Sequence, residues 1–183
     1  MKEFKNILLI SGSGRNCGKT TLACNIIKLL AESEDVFALK ISPHFHQTGN
    51  NQQLIAEGVD YRVYRETDMN STKDSSRMLK AGAKEVLFIQ SEDDKLHKVY
   101  DSIKEYLPKE SPIICESGSF ANVFKAGYHI LLKANDNEFK KSFLVNIDKA
   151  DKIITQNDFT NESLNFGLQY SKLNWTINKL DND

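Results

Sequence analysis

A glycine-rich segment near the start of the chain carries the residue types that bind a phosphate group. Residues 11–21 read Ser-Gly-Ser-Gly-Arg-Asn-Cys-Gly-Lys-Thr-Thr. Small residues let backbone N–H groups turn toward phosphate oxygens, and a lysine supplies a positive charge for the β- and γ-phosphates. A hydroxyl directly after that lysine is placed to ligate Mg²⁺. We therefore predict a phosphate-binding loop in which Lys19 contacts the phosphates and Thr20 contacts the metal ion.

This loop departs from the usual Gly-x-x-x-x-Gly-Lys-Ser/Thr pattern at its first glycine. That glycine would fall at Ser13, whereas here glycines lie on both sides of it. We interpret the segment as a variant loop with an altered first turn. The residues expected to contact the nucleotide form one continuous run: Gly12, Ser13, Gly14, Arg15, Asn16, Cys17, Gly18, Lys19, Thr20 and Thr21. Arg15 either lies over the phosphates or is exposed, and Cys17 is better explained as a small loop residue than as a nucleophile.

An acidic residue follows the most apolar of the predicted strands. Glu116 comes after Pro-Ile-Ile-Cys at residues 112–115, and this apolar run predicts a central strand. A carboxylate at the end of such a strand, beside a phosphate-binding loop, can hold Mg²⁺ or orient the attacking water. We therefore expect Glu116 to be a metal ligand with Thr20 and a catalytic residue with Lys19. The alternative is a solvated acid at the end of a strand.

Two further polar segments follow predicted elements and have several interpretations. His44 and His46 could supply two ligands to a transition metal, contact a substrate, or lie at the surface. Asp74 could cap a helix that begins at Ser75, which would leave the neighbouring cations at residues 73 and 77 free to meet an anion. A charged, solvated helix face is the alternative for that second segment, and composition alone favours it.

The elements that must position these residues alternate between short apolar runs and helical patterns, which favours an α/β fold with a mostly parallel sheet. Strands are predicted at residues 6–11, 36–41, 61–64, 85–90, 112–115, 128–132 and 152–155. Helices are predicted at residues 19–33, 73–82 and 137–146, with another that Ser91 and Asp94 begin as a capping box. Residues 42–53 are expected to form a long polar loop, and the last dozen residues a final strand or a packed tail. We find no linker, so residues 1–183 are expected to form a single domain.

The composition bears on the cell compartment of the protein and on the classes of partner it binds. The formal net charge is −1, which gives no support to nucleic acid or an anionic membrane as the main partner. Three cysteines are too few for a disulfide framework, and no apolar stretch is long enough for a membrane span or a signal peptide. We therefore expect a cytoplasmic protein.

Four segments together resemble the family of MobB, the molybdopterin-guanine dinucleotide biosynthesis protein B. They are the loop at residues 12–21, Leu-Lys-Ile at 39–41 leading to the two histidines, Lys-Asp-Ser-Ser-Arg at 73–77 with Ala-Gly-Ala at 81–83, and residues 113–118. The resemblance covers about residues 5–155. It implies a three-layer P-loop NTPase fold, in which helices flank a mostly parallel central sheet.

The same resemblance implies a function. It implies binding of GTP, or of ATP, with Mg²⁺, slow hydrolysis and often a homodimer. The family acts as an accessory in attaching a guanine nucleotide to molybdopterin, so an enzyme of molybdenum cofactor biosynthesis would be the partner. By this likeness Lys19 and Thr20 would bind nucleotide and Mg²⁺, Glu116 would match the acid after the later strand, and Asp74 and Arg77 would match a polar segment of the family.

Two other functions remain open at the level of sequence. The loop spacing is similar to that in relatives of dethiobiotin synthetase, which would imply an ATP-dependent ligase or kinase that acts on a small acid. A nucleotide-sensing module that hydrolyses nothing is the second alternative. Residues 155–158 follow a predicted strand in a suitable place for a guanine-binding motif, but they match the Asn-Lys-x-Asp pattern poorly, so the base stays undecided.

Overall fold

A computed structural model describes residues 1–14, 16–45, 51–134, 141–159, 164 and 166–178. The strands are β1 (Lys2–Gly12), β2 (Phe37–Ser42), β3 (Gln52–Gly58), β4 (Tyr61–Glu66), β5 (Glu85–Ser91), β6 (Ile113–Glu116), β7 (Phe124–Leu132), β8 (Lys152–Ile154), β9 (Gly167–Ser171) and β10 (Asn174–Asn178). The helices are α1 (Lys19–Leu30), α2 (Asp74–Lys80), α3 (Leu96–Ile103), α4 (Phe120–Val123) and α5 (Lys141–Ile147), with a 3₁₀ turn at Gln156–Asp158.

Eight of these strands form one sheet in the order β3-β4-β5-β2-β6-β1-β7-β8. The six strands from β5 to β8 in that order run parallel, whereas β3 and β4 are antiparallel additions at one edge. The α/β fold with a mostly parallel sheet is therefore confirmed. Because the carboxyl ends of parallel strands meet at one edge of the sheet, the loops after β1, β2 and β6 lie next to each other.

The alternation of side chains along the strands gives the sheet two apolar faces. One face packs against α1, α2 and the β9–β10 hairpin, and the other packs against α3 and α4. Helical spacing predicts one apolar face of α1 with Leu22, Ile26, Leu29 and Leu30. The first, second and fourth of these are buried in the first cluster, whereas Leu29 is 45% exposed, so it does not belong to the buried stripe. Strand β6 lies between β1 and β2, and all four of its residues are buried. The prediction of a central strand there is confirmed.

The structure differs from the sequence-based prediction at the antiparallel edge. Strand β3 covers residues that were expected to end a loop or were left unassigned. Its side chains are half-buried or exposed, with Leu54 47% exposed. An edge strand with one solvated face lacks the continuous apolar run that identifies a central strand, so its pattern is weak.

The predicted capping box at the start of α3 is wrong. Ser91 is the last residue of β5 and its hydroxyl donates to the carbonyl of Glu92, while α3 begins only after Lys95. Asp94 instead pairs with Lys95. The predicted apolar stripe survives this shift, because the side chains of α3 that face the sheet are buried: Leu96, Val99 and Ile103.

The carboxyl-terminal segment forms an antiparallel hairpin, β9–β10, which covers one face of the sheet. Trp175 is buried there, and its ring centroid lies 4.6 Å from that of Tyr170. Two strands and a tight turn therefore replace the single strand or tail that the sequence suggested. No helix in the described ranges combines the length and the apolarity needed to cross a bilayer.

A buried histidine joins β7 to the end of β1. Nε2 of His129 lies 2.7 Å from Oγ of Ser11, and both side chains are buried. Nδ1 lies 3.3 Å from the carbonyl oxygen of Lys149. Burial lowers the pKa of His129, and this effect outweighs the opposing effects of the Lys149 carbonyl and the nearby carboxylate of Asp151.

We expect this histidine to make stability fall as the pH drops below the ordinary histidine pKa. Because the pKa of His129 is lower in the folded state, the unfolded chain binds more protons as the pH falls. The contribution of neutral His129 to the free energy of unfolding is therefore complete above the unfolded-state pKa and is lost on acidification. Denaturation midpoints measured between pH 8 and pH 5 should show this loss, and His129→Gln should reduce the slope. Equal slopes for the two proteins would contradict the assignment.

Candidate functional site

A cavity of about 780 Å³ opens at the carboxyl edge of the parallel strands. It is lined by the start of α1, the ends of β2 and β6, the start of α2 and the turn after β8. Its charged lining residues are Lys19, Lys40, Lys73, Arg77, Asp74 and Glu116. Four cations against two carboxylates give the cavity a positive balance, which suits an anionic ligand.

The amino end of α1 supplies hydrogen-bond donors to this cavity. Gly18 precedes the helix in a left-handed conformation with φ of 93°, and no side chain caps the helix there. The first intrahelical bond runs from the N–H of Leu22 to the carbonyl of Gly18. The N–H groups of the three residues before Leu22 therefore have no acceptor within the part of the chain that the structure describes. Such a helix end attracts anions through its free N–H groups and its partial positive charge.

The lysine of the predicted loop folds back over the loop. Nζ of Lys19 donates to the carbonyl of Gly14 at 2.5 Å and lies 3.3 Å from Sγ of Cys17. Cys17 is buried, as expected for a small loop residue. A Cβ at Gly12 would come within 2.5 Å of that sulfur, so only glycine fits there without a shift.

Ser13 has a structural contact where the usual pattern has glycine. Its backbone N–H donates to the carbonyl of Leu132 at 2.9 Å, and its hydroxyl accepts from the N–H of Ala134 at 2.8 Å. The two bonds tie the loop to the last residue of β7 and to the segment that follows it. Across the loop, the side-chain amide of Gln156 donates to the carbonyl of Asn16 at 3.4 Å. Arg15 lies outside the described residues.

Four side chains form a polar cluster that lines the cavity, which we call the Thr20–Glu116–Lys40–Asp74 ring. The Thr20 hydroxyl donates to Oε2 of Glu116 at 2.9 Å. Nζ of Lys40 lies 2.6 Å from Oε1 of Glu116 and 2.6 Å from Oδ2 of Asp74. The Thr20 hydroxyl also helps to lower the pKa of the Asp74 carboxyl, which places these two side chains near each other. The structure thus brings together the two predicted metal ligands, Thr20 and Glu116.

The contacts within the ring fix the charge states of Lys40 and Asp74. Burial acts to lower the pKa of Lys40, but the carboxylates of Glu116 and Asp74 outweigh it and raise that pKa above its usual value. Burial likewise acts to raise the pKa of Asp74, yet Lys40, Thr20 and Arg77 together lower it. Lys40 therefore stays a cation and Asp74 an anion near neutral pH.

The interpretation of Asp74 as a helix cap, one of two that the sequence left open, is wrong. Lys73 is the residue before the helix, and Asp74 is its first residue, with its side chain directed to Lys40. On the same helix, a guanidinium nitrogen of Arg77 donates to the Thr21 hydroxyl at 3.2 Å, so α2 and α1 meet across the cavity. This role for Asp74 depends on the position of β2, which is distant in sequence.

A buried carboxylate that sequence reasoning missed holds α2 in place. Glu66, at the end of β4, accepts from the hydroxyl of Ser75 at 2.6 Å and from the side chain of Gln52 at 2.5 Å. The backbone N–H groups of Thr67 and Asp68 donate to its other oxygen. An acid at the end of an amphipathic strand gives little signal by itself, because solvated acids are common there.

The donor set of the ring fits Mg²⁺ rather than a transition metal. Thr20, Glu116 and Asp74 offer hydroxyl and carboxylate oxygens, the ligands that this ion prefers, and a cation, Lys40, already lies between the two carboxylates. No group of three or more His, Cys, Asp or Glu side chains in the described residues is arranged to hold a metal ion. His44 lines the cavity, whereas His46 lies outside the described residues.

Comparison with known proteins identifies no relative of this chain. No protein-family model, curated protein or solved structure matches the chain.

We expect Glu66→Ala to lower the free energy of unfolding by about 2–4 kcal/mol, because it leaves a buried hydroxyl and backbone N–H groups without an acceptor. Guanidinium denaturation measures this loss. Glu57→Ala is the matched control on the same hairpin, because Glu57 forms an exposed pair with Arg62 and its removal should change stability little. Equal stability of the two variants would refute the role of Glu66.

Proposed function

We propose that this chain binds a nucleoside triphosphate with Mg²⁺ in the cavity and hydrolyses it, and that its fold is the three-layer P-loop NTPase fold. One observation carries the proposal. The hydroxyl after the Gly-Lys pair and the acid at the end of the neighbouring central strand, Thr20 and Glu116, lie 2.9 Å apart. This hydroxyl and acid are the pair expected to hold Mg²⁺, directly or through water, beside a bound phosphate chain.

Positioning and charge neutralisation would supply the catalysis. The N–H groups at the start of α1 and the ammonium of Lys19 would hold the phosphates, and Arg77 would approach them from α2. Thr20 and Glu116 would hold Mg²⁺, which offsets charge that develops on the transferred phosphoryl group. Glu116 would also orient the attacking water molecule.

GTP as the base, and an accessory role beside an enzyme of molybdenum cofactor biosynthesis, follow from the MobB resemblance. The segments that carry the likeness meet at the cavity, since the loop, Lys40, Asp74, Arg77 and Glu116 all line it. This convergence supports the resemblance, because the segments are far apart in the sequence. A homodimer and a cytoplasmic location belong to the same proposal.

A ligase or kinase similar to dethiobiotin synthetase is the second candidate, and one observation favours it. The cavity extends beyond the phosphate loop to Lys73, Arg77 and His44, which could accept the carboxylate of a small second substrate. Such an enzyme would release phosphate faster when a small acid is added, whereas a GTPase of the MobB type would not respond.

We expect Lys19→Ala to weaken triphosphate binding by about tenfold or more, because a charge-assisted contact with phosphate contributes about 1.5–3 kcal/mol. A thermal-shift panel with GTP, ATP, GDP and ADP in the presence of Mg²⁺ measures binding and identifies the base. Lys28→Ala is the matched control, since Lys28 is an exposed lysine in the last turn of the same helix. Unchanged affinity of Lys19→Ala would remove the phosphate-loop assignment.

Phosphate release should require Mg²⁺ and should fall by about tenfold or more in Glu116→Gln, which retains the shape of the side chain but loses its charge. Release is measured with and without Mg²⁺ and with chelator. A protein that binds triphosphate but releases no phosphate under any of these conditions would be the non-hydrolysing sensing module instead.

A further inference from the structure

Lys40 is fully engaged by carboxylates at the place where a metal ion is expected. Its ammonium lies 2.6 Å from both Glu116 and Asp74, and its side chain is 16% exposed. The position follows from sheet register, because Lys40 and Glu116 are direct partners in the parallel pairing of β2 with β6. The lysine thus reaches the carboxylates from the neighbouring strand.

Lys40 already occupies the position between the two carboxylates, so a second cation finds neither of them unpaired. Two carboxylates and one ammonium leave a net charge of −1, so a divalent ion arriving alone must bind beside Lys40 or displace it. Displacement would leave the ammonium without a partner in a partly desolvated site, which is costly. A bound phosphate chain changes this balance, since its negative oxygens can accept the ammonium and also supply ligands to the metal ion.

We propose that Lys40 is a resident counter-ion that makes binding of the divalent metal conditional on nucleotide. Without phosphates, Lys40 holds Glu116 and Asp74 and keeps the ion out. With phosphates in the cavity, the ammonium moves toward them on its flexible stem, and the carboxylates become available. This inference deepens the proposed function and rests on it, because it assumes a metal–nucleotide site in the cavity.

Two features of the structure allow this exchange. The Lys40 side chain lines the same cavity as Lys19 and Thr21, so phosphates held at the start of α1 lie within its reach. Asp74, its second partner, is 41% exposed and lies on the surface of α2, so solvent and Arg77 can compensate it when Lys40 leaves.

The test is to measure Mn²⁺ binding in the absence of nucleotide. Binding is measured by the loss of the paramagnetic resonance signal of free Mn²⁺ and by titration calorimetry. Lys40→Met removes the counter-ion and leaves two carboxylates and the Thr20 hydroxyl, so it should bind Mn²⁺ at least about tenfold more tightly than the unmodified protein. Lys73→Met is the matched control. It removes a cation that lines the same cavity, whereas the cation that pairs with Glu116 and Asp74 is Lys40. It should bind Mn²⁺ as the unmodified protein does.

Lys40→Arg keeps the charge and should restore weak binding of Mn²⁺. If circular dichroism shows that Lys40→Met does not fold, Lys40→Gln takes its place, since its amide can still donate to a carboxylate but carries no charge. The proposal is overturned if the unmodified protein binds Mn²⁺ alone as tightly as the neutral variant, or if Lys73→Met gains the same affinity.

A second measurement distinguishes failure of the counter-ion role of Lys40 from failure of the proposed function. A non-hydrolysable GTP analogue is added, and its binding is measured with and without Mn²⁺. Absence of analogue binding would refute the proposed function, while the metal-only comparison would still report whether Lys40 blocks the carboxylates. Analogue binding with unchanged Mn²⁺ affinity in Lys40→Met would refute the counter-ion role alone.

Discussion

The carboxylate of Glu116 is the contact on which the cavity depends. It sits at the end of β6, a strand buried on both faces, and a buried charge there is stable only with partners. One oxygen accepts from Thr20 on α1, and the other meets Lys40 on β2. A single side chain therefore joins a helix start and a neighbouring strand, and through Lys40 it also reaches Asp74 on α2.

The loop before α1 holds its shape without glycine at the usual first position of the pattern. Ser13 uses its backbone N–H and its hydroxyl to fasten the loop to the last residue of β7 and to the segment that follows it, while the lack of a side chain at Gly12 makes room for the sulfur of Cys17. Gly18 then takes the left-handed conformation that starts α1. Ser13, Gly12 and Gly18 together therefore shape the loop that the usual pattern begins with a single glycine. The start of α1 still faces the cavity with free N–H groups.

The sequence predicted what local pattern determines. The Gly-Lys-Thr triplet, the central strand before Glu116 and the apolar face of α1 are short-range signals, and each lies where it was expected. The role of Lys40 between two acids could not be predicted, because it depends on the register of β2 with β6. Glu66 was missed for a related reason, since its partner Ser75 lies on another element and β3–β4 is a half-exposed edge with a weak pattern.

Helix α2 is the element through which these contacts become one system. Its first residue, Asp74, meets Lys40 in the cavity, and the next residue, Ser75, donates to the buried Glu66 at the end of the β3–β4 hairpin. Adjacent residues on a helix point in different directions, so the helix can be fastened on the hairpin side while it contributes charge on the cavity side. Seven residues of helix would be marginal alone, so its placement must come from these contacts and from buried Met78. The position of Arg77 over Thr21 is therefore set by a carboxylate outside the cavity.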